Sequence, residues 1–419
     1  MSGATRSDAR SAEVASAEAP LVEDRARTTR IPALPTLSPS ALLPRLAPRP
    51  RLPFPLDRVV AHGGPANATL EGVPPAPHSA LYYLARNGIY HGLRALGVGP
   101  GSTVLMPSYH HGVEVEAVRR TGAEPLFYRV DRRWRADLDD ARVLLRGARR
   151  PTALYLTHYA GFAQDLAAAR ALCREHELLL VEDCALSLLA ASPDGAPLGS
   201  SGDLAVFCLY KSLPVPHGGL ALARAPLPMG ARPPLVATLH HLGGSLLAND
   251  ELHAGRRLAW ERLRRLSRRT VDRVATPVQV GTMHLRPSEL RLGASRIVPA
   301  LVRRVDAGRV VARRRRNYHR LLAQLDDRAL FAEPLPPGAC PLFFPLLVED
   351  KPPIVRALAA RGVEAVDFWS SGDPGCEPSA FADVQWLRRR VLELPIHQDL
   401  DDEAIDRVAR EVKQVVRRT

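Results

Sequence analysis

Apolar residues recur near helical spacing at Leu81, Leu84, Ile89, Leu93 and Leu96, and Gly97-Val98-Gly99-Pro100-Gly101 stops the repeat. Short, nearly continuous apolar runs follow at 103–106, 125–130, 152–157 and 178–181, separated by helical patterns over 113–121, 138–146 and 165–176. Strands apolar on both faces that alternate with helices predict an α/β fold, a three-layer mostly parallel sheet. Two further apolar strands, 204–210 and 220–222, flank a turn containing Lys211, Pro214, Pro216, Gly218 and Gly219. Beyond an arginine-rich helical stretch, a strand over 341–348, a helix over 353–361, a strand over 363–368 and a helix over 402–416 predict a small C-terminal α+β domain. The expected organisation is a disordered leader at 1–52, a large α/β domain at 53–250, a helical connecting segment at 251–325 and the small domain at 326–419.

Composition narrows this picture. The 419 residues suffice for two lobes, and no apolar run approaches the roughly 18 residues needed to span a bilayer. The chain is therefore expected to be soluble, without a membrane partner. Residues 1–52 are rich in Ala, Pro, Ser and Arg and lack an apolar signal-peptide core. The five cysteines show no metal-ligand spacing, which fits a reducing cytoplasm. A net charge of +13 accompanies no nucleic-acid motif, so the arginine runs read as solvated helix faces or as attraction for a phosphorylated small molecule. His110-His111 and His240-His241 have no carboxylate or cysteine at ligand spacing, and no metal site is expected.

Lysine is scarce. Of 57 basic residues only Lys211, Lys351 and Lys413 are lysines, and the last two stand in polar, surface-like sequence. Lys211 stands where an apolar strand meets a rigid turn. A strand-end lysine can simply snorkel to water, but it can also supply an amine that attacks a carbonyl, which arginine cannot. Ligands in doubly covered sheets bind at the carboxyl ends of the strands, and residues 107–111, 158–161, Asp183 and Lys211 all fall there. These residue types suit pyridoxal 5'-phosphate. Lys211 would form a Schiff base with its aldehyde and Asp183 would hold the ring nitrogen's proton. The helix start at Ala85 and Arg86 would cradle its phosphate, and Tyr109 or His111 would stack on its ring.

Seven segments in order also carry a family resemblance. They include the stretch from ALGVGPGSTVLMPSYHHG to GAEPLFYRVD, then HYAGFAQDL, LLLVEDCA, GSSGDLAVF, HLRPSELRLGASRI and LELPIHQDL. The chain resembles the DegT-type sugar aminotransferases, fold-type I pyridoxal phosphate enzymes, from about residue 80 to the C-terminus. The resemblance implies an aspartate aminotransferase-like fold, a homodimer, glutamate as amino donor and a nucleotide-linked keto-sugar as acceptor. Several positions depart from the family pattern. Leu84-Ala85-Arg86 replaces Ser-Gly-Thr or Gly-Arg at the phosphate turn, and Leu186 stands where a glutamine is common. Cys208 takes the place of a phosphate-binding serine, a hydroxyl that Ser212 could supply. In the segment implied to reach a neighbouring subunit's substrate site, His284 replaces asparagine while Arg286 is kept. Two alternatives stay open at this level: a pyridoxal phosphate enzyme of another reaction type, acting on an amino acid or a carrier-bound intermediate, and a non-catalytic member that binds an anionic partner.

Overall fold

The computed structural model describes residues 29–42, 73–147, 150–254 and 285–416. Seven strands form one sheet: β1 His78–Tyr82, β2 Thr103–Pro107, β3 Glu124–Tyr128, β4 Ala153–Thr157, β5 Leu179–Cys184, β6 Leu204–Cys208 and β7 Gly219–Ala223. Their order is β1-β7-β6-β5-β4-β2-β3. Strands β2 to β6 run parallel, and β7 lies antiparallel between β6 and β1. Alternate residues of one strand feed different cores, which is why these strands read as continuous apolar runs. Val104 and Met106 pack with Ile89, Leu93, Val115 and Val118 of the helices Ala85–Ala95 and Val113–Thr121. Leu105 packs on the opposite face with Ala169 and Leu172 of the helix Leu166–Glu175.

The pattern from Leu81 predicts helix, but residues 78–82 form β1 and the helix begins only at Ala85. Full pairing of β1 with β7 overrides the local periodicity there. Similarly, the strand expected over 204–210 ends at Cys208, and Leu209–Ser212 turns into a short helix that carries Lys211. Leu209 donates its N–H to the carbonyl of Gly218 at 2.9 Å, so the chain leaves the sheet at this point.

A second, antiparallel sheet has the order β8-β10-β9, with β8 Phe343–Leu347, β9 Val366–Asp367 and β10 Val391–Pro395. Its core combines Phe344, Leu346, Leu392 and Leu394 with Leu321, Ile354, Leu358 and Val408 from the helices Ala307–Leu325, Lys351–Ala360 and Asp402–Val416. The strand expected over 363–368 is reduced to two residues, and the central strand β10 had no counterpart in the sequence reading.

Two expectations need correction. Residues 29–42 lie within the stretch expected to be disordered, yet Ile31 and Leu37 are each 1% exposed and enter two different cores. Ile31 bridges to Val363, Thr36 donates from its N–H and hydroxyl to Asp399, and Leu37 N–H donates to Ser245. Composition hid this anchoring because two apolar side chains in a polar, proline-rich stretch leave no periodic pattern. Lys351, placed at the surface by its sequence surroundings, is buried: it pairs with Asp367 at 2.5 Å and donates to the carbonyl of Phe368 at 3.2 Å. Lys413 is exposed.

The two sheets are joined by a buried cation. Arg314, on the helix Ala307–Leu325, is 1% exposed. It donates to the carbonyls of Pro341, Leu342 and Ser212 at 3.2, 2.9 and 3.1 Å and to the side-chain oxygen of Gln398 at 3.0 Å. Arg314→Ala strips these acceptors of their donor in a dry site, a loss of about 3 kcal/mol. Urea unfolding followed by circular dichroism should show that loss, and a change under about 1 kcal/mol would contradict it.

Candidate active site

The register of the large sheet sets Thr157 beside Asp183, and β6 then delivers Cys208 and the lysine-bearing turn to the same carboxyl edge. A cavity of about 440 Å³ opens over that edge. Lys211, Asp183, Ala85, Arg86, His111 and Cys208 all line it, together with Thr157, Tyr210, Trp369 and Glu393. The second sheet supplies part of the wall, and residues 32–36 of the anchored N-terminal segment form part of the rim.

Asp183 is the floor. Its Oδ1 accepts the N–H of Ala185 at 2.9 Å and its Oδ2 accepts the hydroxyl of Tyr155 at 2.8 Å. Burial raises its pKa, while those two donors and the charge of Lys211 oppose the rise. Its sequence neighbour Glu182 faces the other side of the sheet and does structural work. Burial pushes its pKa up, but a hydrogen bond from His158 and the N–H groups of Gly199 and Ser201 outweigh this and hold it low. His158 is thereby spent: Nε2 lies 3.2 Å from Glu182 and Nδ1 accepts the N–H of Gln164. Among the described residues, His158, Glu182 and Cys184 are the one histidine–cysteine–carboxylate group at metal-ligand spacing, and these bonds already occupy its carboxylate.

The helix start is shaped by its contact with the sheet. Leu84 is extended (φ −135°, ψ 158°) and no side chain caps the first turn of the helix Ala85–Ala95. A Cβ at Gly219 would stand 2.4 Å from Ala85 N and from the carbonyl carbon of Leu84. Glycine is therefore required for β7 to bring that turn to the cavity. Arg86 reaches Glu289 at 3.3 Å, and Asn87 Nδ2 donates to the carbonyl of Glu289 at 2.6 Å.

The two proposed stacking rings part company. Tyr109 is fully buried in an aromatic core with Tyr159, Phe368 and Trp369 and is not part of the cavity wall. His111 lines the cavity, edge-on to Trp369 at 6.1 Å. Burial, followed by the charges of Lys211 and Arg86, lowers the His111 pKa to about 3, so its ring is neutral at pH 7. The Ser212 side chain is buried outside the cavity wall, and its carbonyl is taken by Arg314 and Gln398. Arg286 is exposed and is not part of the cavity wall, and His284 lies outside the described residues.

The sequence reading passed over several cavity residues. Glu114 is buried beside Asp183 and accepts the N–H groups of His111 and Gly112 at 2.8 and 3.1 Å. Burial, then the charge of Asp183, raises its pKa to about 7. Trp369 adopts φ 47°, a left-handed backbone that Arg388 braces by donating to its carbonyl at 2.8 Å. His217 and His241 line the far wall, His241 3.3 Å from the Tyr83 hydroxyl, and burial lowers their pKa values to about 3 and 4. Only Glu393 carried a legible signal, as a carboxylate inside the otherwise apolar run of residues 391–396.

A model of the DegT/DnrJ/EryC1/StrS aminotransferase family matches residues 84–226, which span the helix start, β2 to β7, Asp183 and Lys211. Over these residues the chain is similar to this aminotransferase family. It is 28% identical to a dTDP-4-dehydro-2,3,6-trideoxy-D-glucose 4-aminotransferase of Saccharopolyspora spinosa, over 77% of this chain and 80% of that protein. Two solved structures share its fold. One is the aminotransferase TlmJ from Streptoalloteichus hindustanus, with TM-score 0.56 and 24% identity over 81% of this chain and 86% of that one. The other is NtdA from Bacillus subtilis with bound cofactor PMP, with TM-score 0.55 and 15% identity over 82% and 74%.

The cavity fits pyridoxal phosphate. Thr157 Oγ1 is buried in the wall without a hydrogen-bond partner, Asp183 presents a buried carboxylate to the same space, and the first helical turn is uncapped. An acceptor-rich ligand with a cationic ring nitrogen and a terminal phosphate answers all three. Gly219→Ala pushes back the first turn of the helix Ala85–Ala95, and we expect it to weaken retention of the cofactor at least about tenfold. Equilibrium dialysis against the wild type measures this, and equal retention would contradict it.

Proposed function

We propose that this protein is a pyridoxal phosphate-dependent aminotransferase that moves the amino group of glutamate to the keto group of a nucleotide-linked sugar. The observation that carries this reading is the convergence of Lys211, Asp183 and an uncapped helix start on one cavity. The relative from S. spinosa is named for a dTDP-linked dehydro-sugar, which supports an acceptor of that class. When bound, pyridoxal phosphate supplies an aldehyde that condenses with amines and a ring that withdraws electrons.

The chain's own residues do the remaining work. Lys211 Nζ would hold the cofactor and, once its amine is free, would take the proton from the donor's α carbon and deliver it to the cofactor's aldehyde carbon. Asp183 would accept the hydrogen of the ring nitrogen and keep that nitrogen protonated, with Tyr155 and Ala185 holding the carboxylate. The N–H groups of Ala85 and Arg86 would receive the phosphate, aided by the helix dipole. His111 offers a neutral flat face, since a charged one would repel the ring cation. Trp369 and the apolar wall exclude water.

Lys211→Ala should lower turnover by at least about 10⁴-fold, and Asp183→Asn by about 100-fold, in a coupled assay with glutamate and a dTDP-linked keto-sugar. Multiple turnovers by Lys211→Ala would refute the assignment.

The family resemblance and the position of Arg286 support a homodimer in which Arg286 and His284 serve the substrate site of the partner. Leu235, Val236 and Leu239, 71%, 55% and 56% exposed at the start of the helix Leu235–Ala254, support a second copy covering this surface. Light scattering should then give twice the 45.7 kDa chain mass, and a monomer would contradict it. Among the described residues no helix is long and apolar enough to cross a membrane, and we assign the enzyme to the cytoplasm.

A further inference from the structure

Leu392 and Leu394 of β10 point into the core of the second sheet. With the two-residue period of a strand, Glu393 between them points the other way, and it lines the cavity. Three charged groups face it from three elements: Lys211 from the turn after β6, Asp367 from β9 and Lys351 from the helix Lys351–Ala360. Lys351 is spent on Asp367 at 2.5 Å and on the Phe368 carbonyl. Among the described residues nothing hydrogen-bonds or ion-pairs with the Glu393 carboxylate, which leaves the cavity and Lys211 as its outlook.

We propose that Glu393 is a positioning residue for Lys211, the carboxylate across the cavity whose charge favours the protonated form of the lysine nitrogen. The inference rests on the reading of Lys211 as the cofactor-binding and proton-moving amine. When the lysine nitrogen is charged, Glu393 is its counter-ion. Burial in the cavity, opposed by the charge of Lys211, raises the Glu393 pKa to about 7. The carboxyl can therefore both accept and release a proton near neutral pH. Asp183, by contrast, has its two oxygens engaged by Tyr155 and Ala185 and stands at the floor of the cavity.

The test is the visible absorbance of the protein loaded with pyridoxal phosphate, followed against pH in the wild type, Glu393→Gln and Glu393→Asp. Loss of the carboxylate removes the charge that favours the protonated lysine nitrogen, so the midpoint of the spectral change should fall by about one pH unit in Glu393→Gln. The aspartate variant, with its charge set further back, should fall by less. If Glu393→Gln does not fold, the aspartate variant alone decides. A midpoint unchanged in the folded variants overturns the proposal while leaving Lys211 in place. A wild type with no visible band on loading overturns the reading of Lys211, and the role of Glu393 with it.

Discussion

The site depends on a buried arginine holding three carbonyls at once. Arg314 fixes Ser212, one residue after Lys211, and at the same time Pro341 and Leu342, which lead into the second sheet. Carbonyls at a chain turn inside a protein need donors, and a guanidinium offers a rigid fork that can reach several together. Arg314 thus ties the turn that carries Lys211 to the wall that carries Glu393 and Trp369, and Gln398 donates to the same Ser212 carbonyl. The cavity is an interface between two sheets, and this contact keeps it from being a loose one.

Electrostatics in the cavity follows from the same burial. Asp183, Glu114 and Glu393 surround one lysine, and burial pushes all three carboxyl groups up. Each is tempered differently. Asp183 gains two donors that oppose the rise, while Glu393 has the charge of Lys211 across the cavity. His111, His217 and His241 are held neutral by burial, so they add shape and hydrogen bonding to the walls without adding charge.

Much of this was legible in the sequence, for identifiable reasons. Strands buried on both faces read as unbroken apolar runs, so β2, β4 and β5 stand out, and a lone lysine in an arginine-rich chain marks itself. The edge strand β1 did not read correctly, because its pairing with β7 is a tertiary fact that local periodicity contradicts. The apolar part of the anchoring of residues 29–42 is Ile31 and Leu37, too few to form a pattern, and its polar part consists of long-range bonds such as Thr36 to Asp399. Tyr109 and His111 lie two residues apart after the same strand, and only the packing of Trp369 and Phe368 around Tyr109 shows which ring reaches the cavity.

The central claim is that Lys211 is the amine that binds the cofactor. Its most direct test is borohydride reduction of the purified protein after loading with pyridoxal phosphate, followed by peptide mass mapping. The account predicts a visible absorbance band that reduction abolishes and a pyridoxyl adduct on the peptide containing Lys211. An adduct confined to Lys351 or Lys413, or none at all, would contradict it.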